Sequence, residues 1–454
     1  EFLAINQFAL QGPVNVRRPD ILVFLNGLPI AILELKNPSN AHTDVQSAFN
    51  QIQTYREDIP DLFDYNLACV LTDGIVARIG AFTADESRYM PWRTIGDQEA
   101  PAGMLEAEVL IKGFFDKAYL LDYLRYFVVY ESDEKNTVKK IAGYHQFHAG
   151  RRTVQSVLFA LQHDSRKGGV VWHTTGSGKS LSMVCIVRKI MQTPKMHNPT
   201  VVMITDRSDL DSQLSGTFAR CAKELSPVAA HSREELQELL KNKPSGGVIF
   251  TTIQKFLPED GKTEYPVLSE RHNIVVISDE AHRTQYGFSA TVRNGQLKYG
   301  YAKYMRDALP NACFVGFTGT PIAEGDKDTQ AVFGPYIDVY DMRASIRDGA
   351  TVPIYYEARP IQLNARQALL KHLDDQVAAL ESDLTDPEKE QIQWVTVEKL
   401  AGLPERLKVL AEDLVPHFEN RLKLLDGKGM IVCMSRDICV RLYDEIVKLR
   451  PQWH

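Results

Sequence analysis

The stretch Val170-Val171-Trp172-His173-Thr174-Thr175-Gly176-Ser177-Gly178-Lys179-Ser180, continued by Leu181-Ser182-Met183-Val184-Cys185-Ile186-Val187, decides how this chain folds. An apolar run rich in β-branched residues feeds a glycine-bearing loop, and an apolar pattern of helical spacing starts directly behind it. The reading is strand, phosphate loop, helix. A triphosphate needs a nest of backbone N–H groups that only small residues let it approach, backed by a helix N-terminus. Thr175, Gly176, Ser177 and Gly178 would form that nest. Lys179 would reach the β- and γ-phosphates, and the Ser180 hydroxyl would hold Mg²⁺. The strict pattern asks for glycine where His173 stands, so the match lies in Gly176 and Gly-Lys-Ser. A glycine turn with a solvated lysine is the bland account, and the flanking strand and helix speak against it.

Downstream, strands and turns follow at the pace of an α/β fold. Thr200 to Arg207 reads as a strand, with Asp209 to Leu214 opening a helix, and Gly247 to Thr252 reads as another strand. Ile274 to Ile277 is wholly apolar and runs through Ser278 into Asp279-Glu280-Ala281-His282, at the edge where open parallel sheets bind ligands. Asp279 would hold Mg²⁺ through water, and Glu280 would polarise the attacking water. Phe314 to Phe317 supplies a further strand, closed by Thr318-Gly319-Thr320-Pro321. Each signature alone is weak; the three in this order are not a coincidence.

Upstream, Pro19-Asp20 opens an apolar strand to Leu25, and Leu28 to Lys36 forms a second, with the turn signal Asn26-Gly27 between them. Closing that hairpin brings Asp20 beside Glu34 and Lys36, which share one face of the sheet. Charges that interrupt apolar strands are costly unless paired or used. Two carboxylates holding Mg²⁺ with a lysine beside an attacking water form a phosphodiester-cleaving set; a structural ion pair on a hairpin is the alternative. A helical stretch from Val45 places Gln51 and Tyr55 one turn apart on one face.

These residues carry a resemblance. Asp20, Glu34 and Lys36 stand at the catalytic positions of the PD-(D/E)xK nuclease superfamily, and Gln51 and Tyr55 match the Gln-x-x-x-Tyr element that accompanies its core in RecB-like enzymes. The loop, Asp279–His282 and Thr318–Thr320 resemble motifs I, II and III of superfamily 2 helicases, and Thr205-Asp206-Arg207 resembles motif Ia. Gln146, upstream of the loop, is the candidate to read the adenine edge in such motors. Arg207, Thr251, Thr252 and Lys255 lie where they touch the DNA backbone. A nuclease followed by this motor is similar to the restriction (motor) subunit of type I restriction-modification enzymes, along nearly the whole chain. The resemblance implies ATP and two separate Mg²⁺ sites, one at Asp20 and Glu34 and one at Ser180 and Asp279. It further implies double-stranded DNA pumped past the motor, and methyltransferase and specificity subunits as partners, with S-adenosylmethionine only on the methyltransferase. Two other functions fit the same residues: a stand-alone repair or recombination helicase-nuclease, and a nuclease-inactive module that only grips DNA.

The expected fold class is α/β. A nuclease domain would occupy residues 1–95, a connector 96–145, a first RecA-like domain 146–345, and a helical segment with the start of a second RecA-like domain 346–454. The 454 residues suffice for about three cores. A net charge of −6 excludes a generally basic coat, so DNA contacts must come from local Lys and Arg. No apolar run reaches membrane-spanning length, and six cysteines without CxxC spacing read as buried thiols of a reducing cytoplasm, which the resemblance implies is prokaryotic. Gln98 to Gly103 reads as a linker, Phe114 to Tyr130 as an aromatic helical region packed in a core, and Thr153 to Gln162 as a helix. Gly429 to Arg436 resembles motif IV, the first strand of a second motor domain. The arginine that such a domain adds to the ATP site is missing, and the chain opens without methionine. A fragment with weak nucleotide binding and poor turnover is therefore expected.

Overall fold

The computed structural model describes residues 1–13, 15–37, 45–133, 136–206, 208–242, 245–258, 265–284, 291–293, 296–298, 301–322, 329–359, 398 and 401–454. The first five long strands are β1 (Phe2–Asn6), β2 (Ile21–Leu25), β3 (Leu28–Leu35), β4 (Ala68–Thr72) and β5 (Ala77–Gly80), joined in that order into one sheet. The β2–β3 turn is built on Asn26 and Gly27, both at positive φ (50° and 86°), which suits the twist of a tight hairpin. Strands β3 and β4 run parallel, and helix α1 (Val45–Asp58) lies on the crossover that a parallel pair requires. Successive residues of β4 pack into different cores: Cys69 and Leu71 face α1, while Ala68 and Val70 face the other way.

That second face does not end the domain. It packs on helices α2 (Glu106–Gly113) and α3 (Lys117–Tyr126) and on the hairpin β6 (Val128–Ser132) and β7 (Thr137–Ile141). The aromatic helical region expected to reach Tyr130 stops at Tyr126, where Val128-Val129 turns it into strand. Its rings are core, as their spacing argued: Phe114, Tyr123, Phe127 and Phe147 pack with centroids 4.9–5.5 Å apart. The expected linker holds a short pairing instead, Thr94–Ile95 with Gln98–Glu99. Helix α4 (Tyr144–Gln162) starts nine residues earlier than expected, because Gln146 in its first turn bonds back to the Gly143 N–H at 2.8 Å and closes the end.

The motor sheet contains β8 (Lys167–His173), β9 (Thr200–Thr205), β10 (Pro227–Ala229), β11 (Val248–Thr252), β12 (Ile274–Ser278), β13 (Cys313–Thr318) and β14 (Tyr336–Tyr340). Their order is β10-β11-β9-β12-β13-β8-β14, and every neighbouring pair is parallel. Both faces are buried, with Val201 and Met203 in one core and Val202 and Ile204 in the other, so the strands read as unbroken apolar runs. Helix α5 (Lys179–Met191) follows β8, and α6 (Ser208–Cys221) follows β9. One core cluster runs from Ile30 and Leu33 through Trp92 and Phe147 to Val171 and Val315, and residues Glu1–Pro353 form a single compact unit. The divisions expected at 95 and 145 thus fall inside a shared core.

The second unit is Ile354–His454. Its helices α8 (Pro404–Leu422), with Pro404 in the first turn, and α9 (Arg436–Leu449) pack through Leu407, Ala411 and Val415 on Ile438, Leu442 and Ile446. Much of the helical segment expected over 346–454, including residues 360–397, lies outside the described residues. The strand expected over Gly429–Arg436 is not formed. Met430 and Val432 are exposed, no ladder partner occurs among the described residues, and Ser435 instead caps α9 by accepting from Ile438 N. Cysteines 69, 185, 221 and 313 are buried as expected, but Cys433 is half-buried and Cys439 exposed, and among the described residues of this unit no sheet covers them.

Candidate nuclease and nucleotide sites

At the hairpin, Ile21 pairs with Leu33, which puts Asp20 across from Glu34 at the strand end. Asp20 is held by two donors: Leu35 N reaches Oδ2 at 2.9 Å and Gln7 Nε2 reaches Oδ1 at 2.7 Å. Glu34 is 3% exposed, with Lys36 Nζ 2.8 Å from Oε1 and the Tyr55 hydroxyl donating to Oε2 at 3.1 Å. Burial pushes the Glu34 carboxyl above its ordinary range, and the charge of Asp20 adds to this, while Lys36 and Tyr55 pull it back. Gln51 stands beside the Tyr55 hydroxyl, whose proton is bound more tightly, first through burial and then through Glu34. All five expected nuclease residues are thus brought to one place. Two crowded carboxylates, one of them destabilised by burial, suit a hard divalent cation. Among the described residues no cluster of three or more His, Cys, Asp or Glu forms a complete metal cage, so further ligands would be water and phosphate oxygens.

In the motor, the C-terminal strand ends share one edge: Trp172 pairs with Thr318, Ile204 with Ser278 and Thr205 with Thr252. The loop between β8 and α5 carries Gly176 and Gly178 at φ of 85° and 82°, a left-handed backbone that L side chains resist. Such turns aim consecutive N–H groups into one concavity. Lys179, in the first turn of α5, and Thr175 both lie against Gly319; a methyl there would meet Lys179 Nζ at 3.4 Å and Thr175 Oγ1 at 3.1 Å. Burial, and then Glu280, push the Asp279 carboxyl up to about 6, against the pull of the Glu280 N–H and Lys179. Glu280 itself has φ of 47°, strain of the kind that packed sites hold. His282 Nδ1 is 2.8 Å from Thr318 Oγ1, and Thr320 N donates to the same oxygen at 3.1 Å, so the acidic and hydroxyl-rich turns are bonded to each other.

Several expectations change. Gln146 does not present a free amide: it is 5% exposed, its Oε1 accepts from Gly143 N, and its Nε2 donates to Gly178 O at 2.9 Å, so it braces the phosphate loop. Thr251 is wholly buried with its hydroxyl on the Thr252 carbonyl, and presents nothing to a duplex because it points into the sheet. Thr252 is also buried, and Lys255 Nζ donates to Ala230 O at 2.5 Å. Arg207 lies outside the described residues, as does its expected contact with DNA.

The groups behind the loop carry almost no sequence signal. His173 is fully buried with Nε2 3.0 Å from Asp338, which Arg152 also reaches at 2.6 Å. Burial works against the Asp338 charge, yet the bonds from His173 and Arg152 hold the carboxyl below its ordinary range. His145 stacks on Tyr340 (3.9 Å, 8°) and contacts the Ser177 carbonyl at 3.1 Å; burial, aided by His173, pushes it down to about 3. The one available signal was the polar residue inside an apolar strand, His173, where the loop pattern asks for glycine.

A parallel sheet with a glycine nest, Lys179, and an acidic pair on the facing strand end defines a P-loop ATPase. The chain belongs to the SWI2/SNF2 ATPase family, which residues 145–390 match. Residues 1–88 match the Type I restriction enzyme R protein N terminus. The whole chain is 45% identical over 462 residues to the Type I restriction enzyme HindI endonuclease subunit of Haemophilus influenzae, covering 43% of that protein. It is 26% identical to the Type I restriction enzyme SauCOLORF180P endonuclease subunit of Staphylococcus aureus, over 77% of this chain and 35% of that one. The chain therefore spans less than half the length of these curated relatives. Among solved structures, a Sulfolobus solfataricus SWI2/SNF2 ATPase core in complex with double-stranded DNA aligns at 15% identity, over 67% of this chain and 69% of that one, with a TM-score of 0.30.

Proposed function

We propose that this chain is the nuclease and motor portion of a type I restriction enzyme, an ATP-dependent double-stranded DNA translocase that cuts unmodified DNA away from its recognition site. The observation that carries this reading is the co-occurrence, in one compact unit, of an assembled Asp20–Glu34–Lys36–Gln51–Tyr55 cluster with an ATPase sheet. Methyltransferase and specificity subunits would be its partners, with S-adenosylmethionine bound only by the former, in a prokaryotic cytoplasm. Among the described residues no helix is long and apolar enough to cross a membrane.

At the nuclease site, Asp20 and Glu34 would hold Mg²⁺, which when bound supplies Lewis-acid activation of the scissile phosphate. Lys36, fixed by Glu34, would orient the attacking water and offset charge on the phosphate. Gln51 and Tyr55 keep Glu34 in place. At the motor site, the N–H groups of Thr175 to Gly178 would bind the phosphates, with Lys179 on the β- and γ-oxygens. Ser180 and Asp279 would hold the second Mg²⁺. Glu280 would take the proton of the attacking water, while His282, Thr318, Gly319 and Thr320 would relay the state of the phosphates along the sheet edge. Thr252 and Lys255 lie at the strand end from which the motor would meet the duplex backbone, and Arg207 follows in sequence two residues after the end of β9.

The test is cleavage of an unmodified circular plasmid by the full-length subunit with its methyltransferase and specificity partners. Asp20→Ala or Lys36→Ala should abolish cutting and spare ATP hydrolysis, whereas Lys179→Ala should abolish both. A Lys179→Ala complex that still cuts would overturn the coupling of pump to nuclease.

A further inference from the structure

Asp348 follows helix α7 (Met342–Arg347), and no motif singles it out. Its side chain is fully hidden from solvent. Arg93 Nε donates to Oδ1 at 3.0 Å, and the hydroxyls of Tyr144 and Tyr340 donate to Oδ2 at 2.8 and 3.1 Å. A buried carboxylate persists only when donors surround it in this way.

On one side, this acid fixes the supports of the phosphate loop. The Tyr340 carbonyl accepts from Thr174 N at 2.9 Å, and the Tyr340 ring carries His145, which contacts the Ser177 carbonyl. Both shoulders of the loop therefore rest on Tyr340, one directly and one through His145, and Asp348 holds Tyr340. On the other side, the Arg93 guanidinium is shared with Glu106, which also binds the Arg78 side chain and accepts from Ala77 N at 3.0 Å. Arg78 and Ala77 belong to β5. In the sheet register, Arg78 lies opposite Leu71, and Leu71 lies beside Glu34. One cross-strand row thus joins the far anchor of the ion pairs to the nuclease acid.

We propose that Arg93 and Asp348 are positioning residues that transmit the state of the phosphate loop to the nuclease sheet. The route runs Ser177–His145–Tyr340–Asp348–Arg93–Glu106–Arg78. This proposal rests on the function given above. Arg93 is shared between two acids of different parentage, Asp348 beside the loop supports and Glu106 beside β5. A shift of the loop that draws Asp348 away loosens one pairing and redistributes the other, and a close-packed core passes such shifts on rather than absorbing them. A plain structural staple would make the same contacts but would affect both activities together.

The experiment uses the full-length subunit in its complex, unmodified circular DNA, and the variants Arg93→Gln and Arg93→Lys. ATP hydrolysis (kcat and KM) and double-strand breaks per ATP hydrolysed are both measured. Arg93→Gln should leave kcat and KM within about threefold and lower breaks per ATP about tenfold, the size of an ordinary coupling between sites, with partial recovery in Arg93→Lys. Unchanged breaks per ATP, or a parallel loss of hydrolysis and thermal stability, would overturn the relay while leaving the functional reading intact. A wild-type complex that cuts without ATP would overturn that reading, and the relay with it.

Discussion

Replacing Asp279 with asparagine should make the folded protein more stable at neutral pH while destroying its ATPase. Burial, followed by the charge of Glu280, lifts the Asp279 carboxyl from 3.8 to about 6. At about 1.4 kcal/mol per pKa unit, holding this group ionised costs the native state roughly 3 kcal/mol at neutral pH, and about 2 once partial solvent screening is counted. The direction follows from proton counting. Between about pH 4 and 6 the native chain holds a proton that the unfolded chain has released, so acidification favours the native state through this group. The penalty is complete above pH 6 and gone below pH 4. An asparagine Oδ1 can still accept from Glu280 N, now 2.9 Å away, so the substitution removes charge without removing the bond. Urea unfolding followed by tryptophan fluorescence, with EDTA present, across pH 4 to 7.5 provides the assay. Asp279→Asn should exceed the wild type by about 2 kcal/mol at pH 7.5, with the gap closing towards pH 4. Equal stabilities at pH 7.5, or a gap that does not change with pH, would refute the reasoning.

Other substitutions test other parts. Gly178→Ala imposes a left-handed φ on an L residue and sets a methyl 2.7 Å from Gln146 Nε2. It should cost roughly 1–2 kcal/mol and weaken binding of a fluorescent nucleotide at least about tenfold. Tyr55→Phe removes a bond that favours ionised Glu34. Stability should fall by about 1–2 kcal/mol, and the acid limb of the cleavage–pH profile should move to higher pH. Asp338→Ala leaves buried His173 and the partly exposed Arg152 without their shared acid. Denaturation should register a loss of about 3–5 kcal/mol, and Asp338→Asn a smaller one.

The phosphate loop and acidic pair were legible because phosphate chemistry admits few residue types at fixed spacing beside a strand. The nuclease hairpin was legible because its turn and alternation set the register that aligns Asp20 with Glu34. Asp338 and Asp348 were not: Asp338, inside β14, meets partners 165 and 186 residues away, Asp348, beyond a helix end, meets partners 8 to 255 residues away, and neither gives a local sign of them. Thr251 misled for a related reason. It stands in a strand whose sheet is buried on both faces, so its hydroxyl is covered whichever way it points, and a motif does not report burial. The start of α4 was hidden because Gly143 donates its own backbone N–H to a glutamine three residues on, a closure that needs none of the usual capping residues at the cap itself.

The aromatic seam around Trp92, Phe114, Tyr123 and Phe147 bears on how this protein can be taken apart. A gene fragment ending near residue 95 would strip that indole of its neighbours and leave the cutting sheet with one raw, greasy side. Exchanging the nuclease for a foreign one would likewise mean recutting the seam ring by ring. The N-terminal sheet and the ATPase sheet share one packed interior, so neither can change shape without refitting the other.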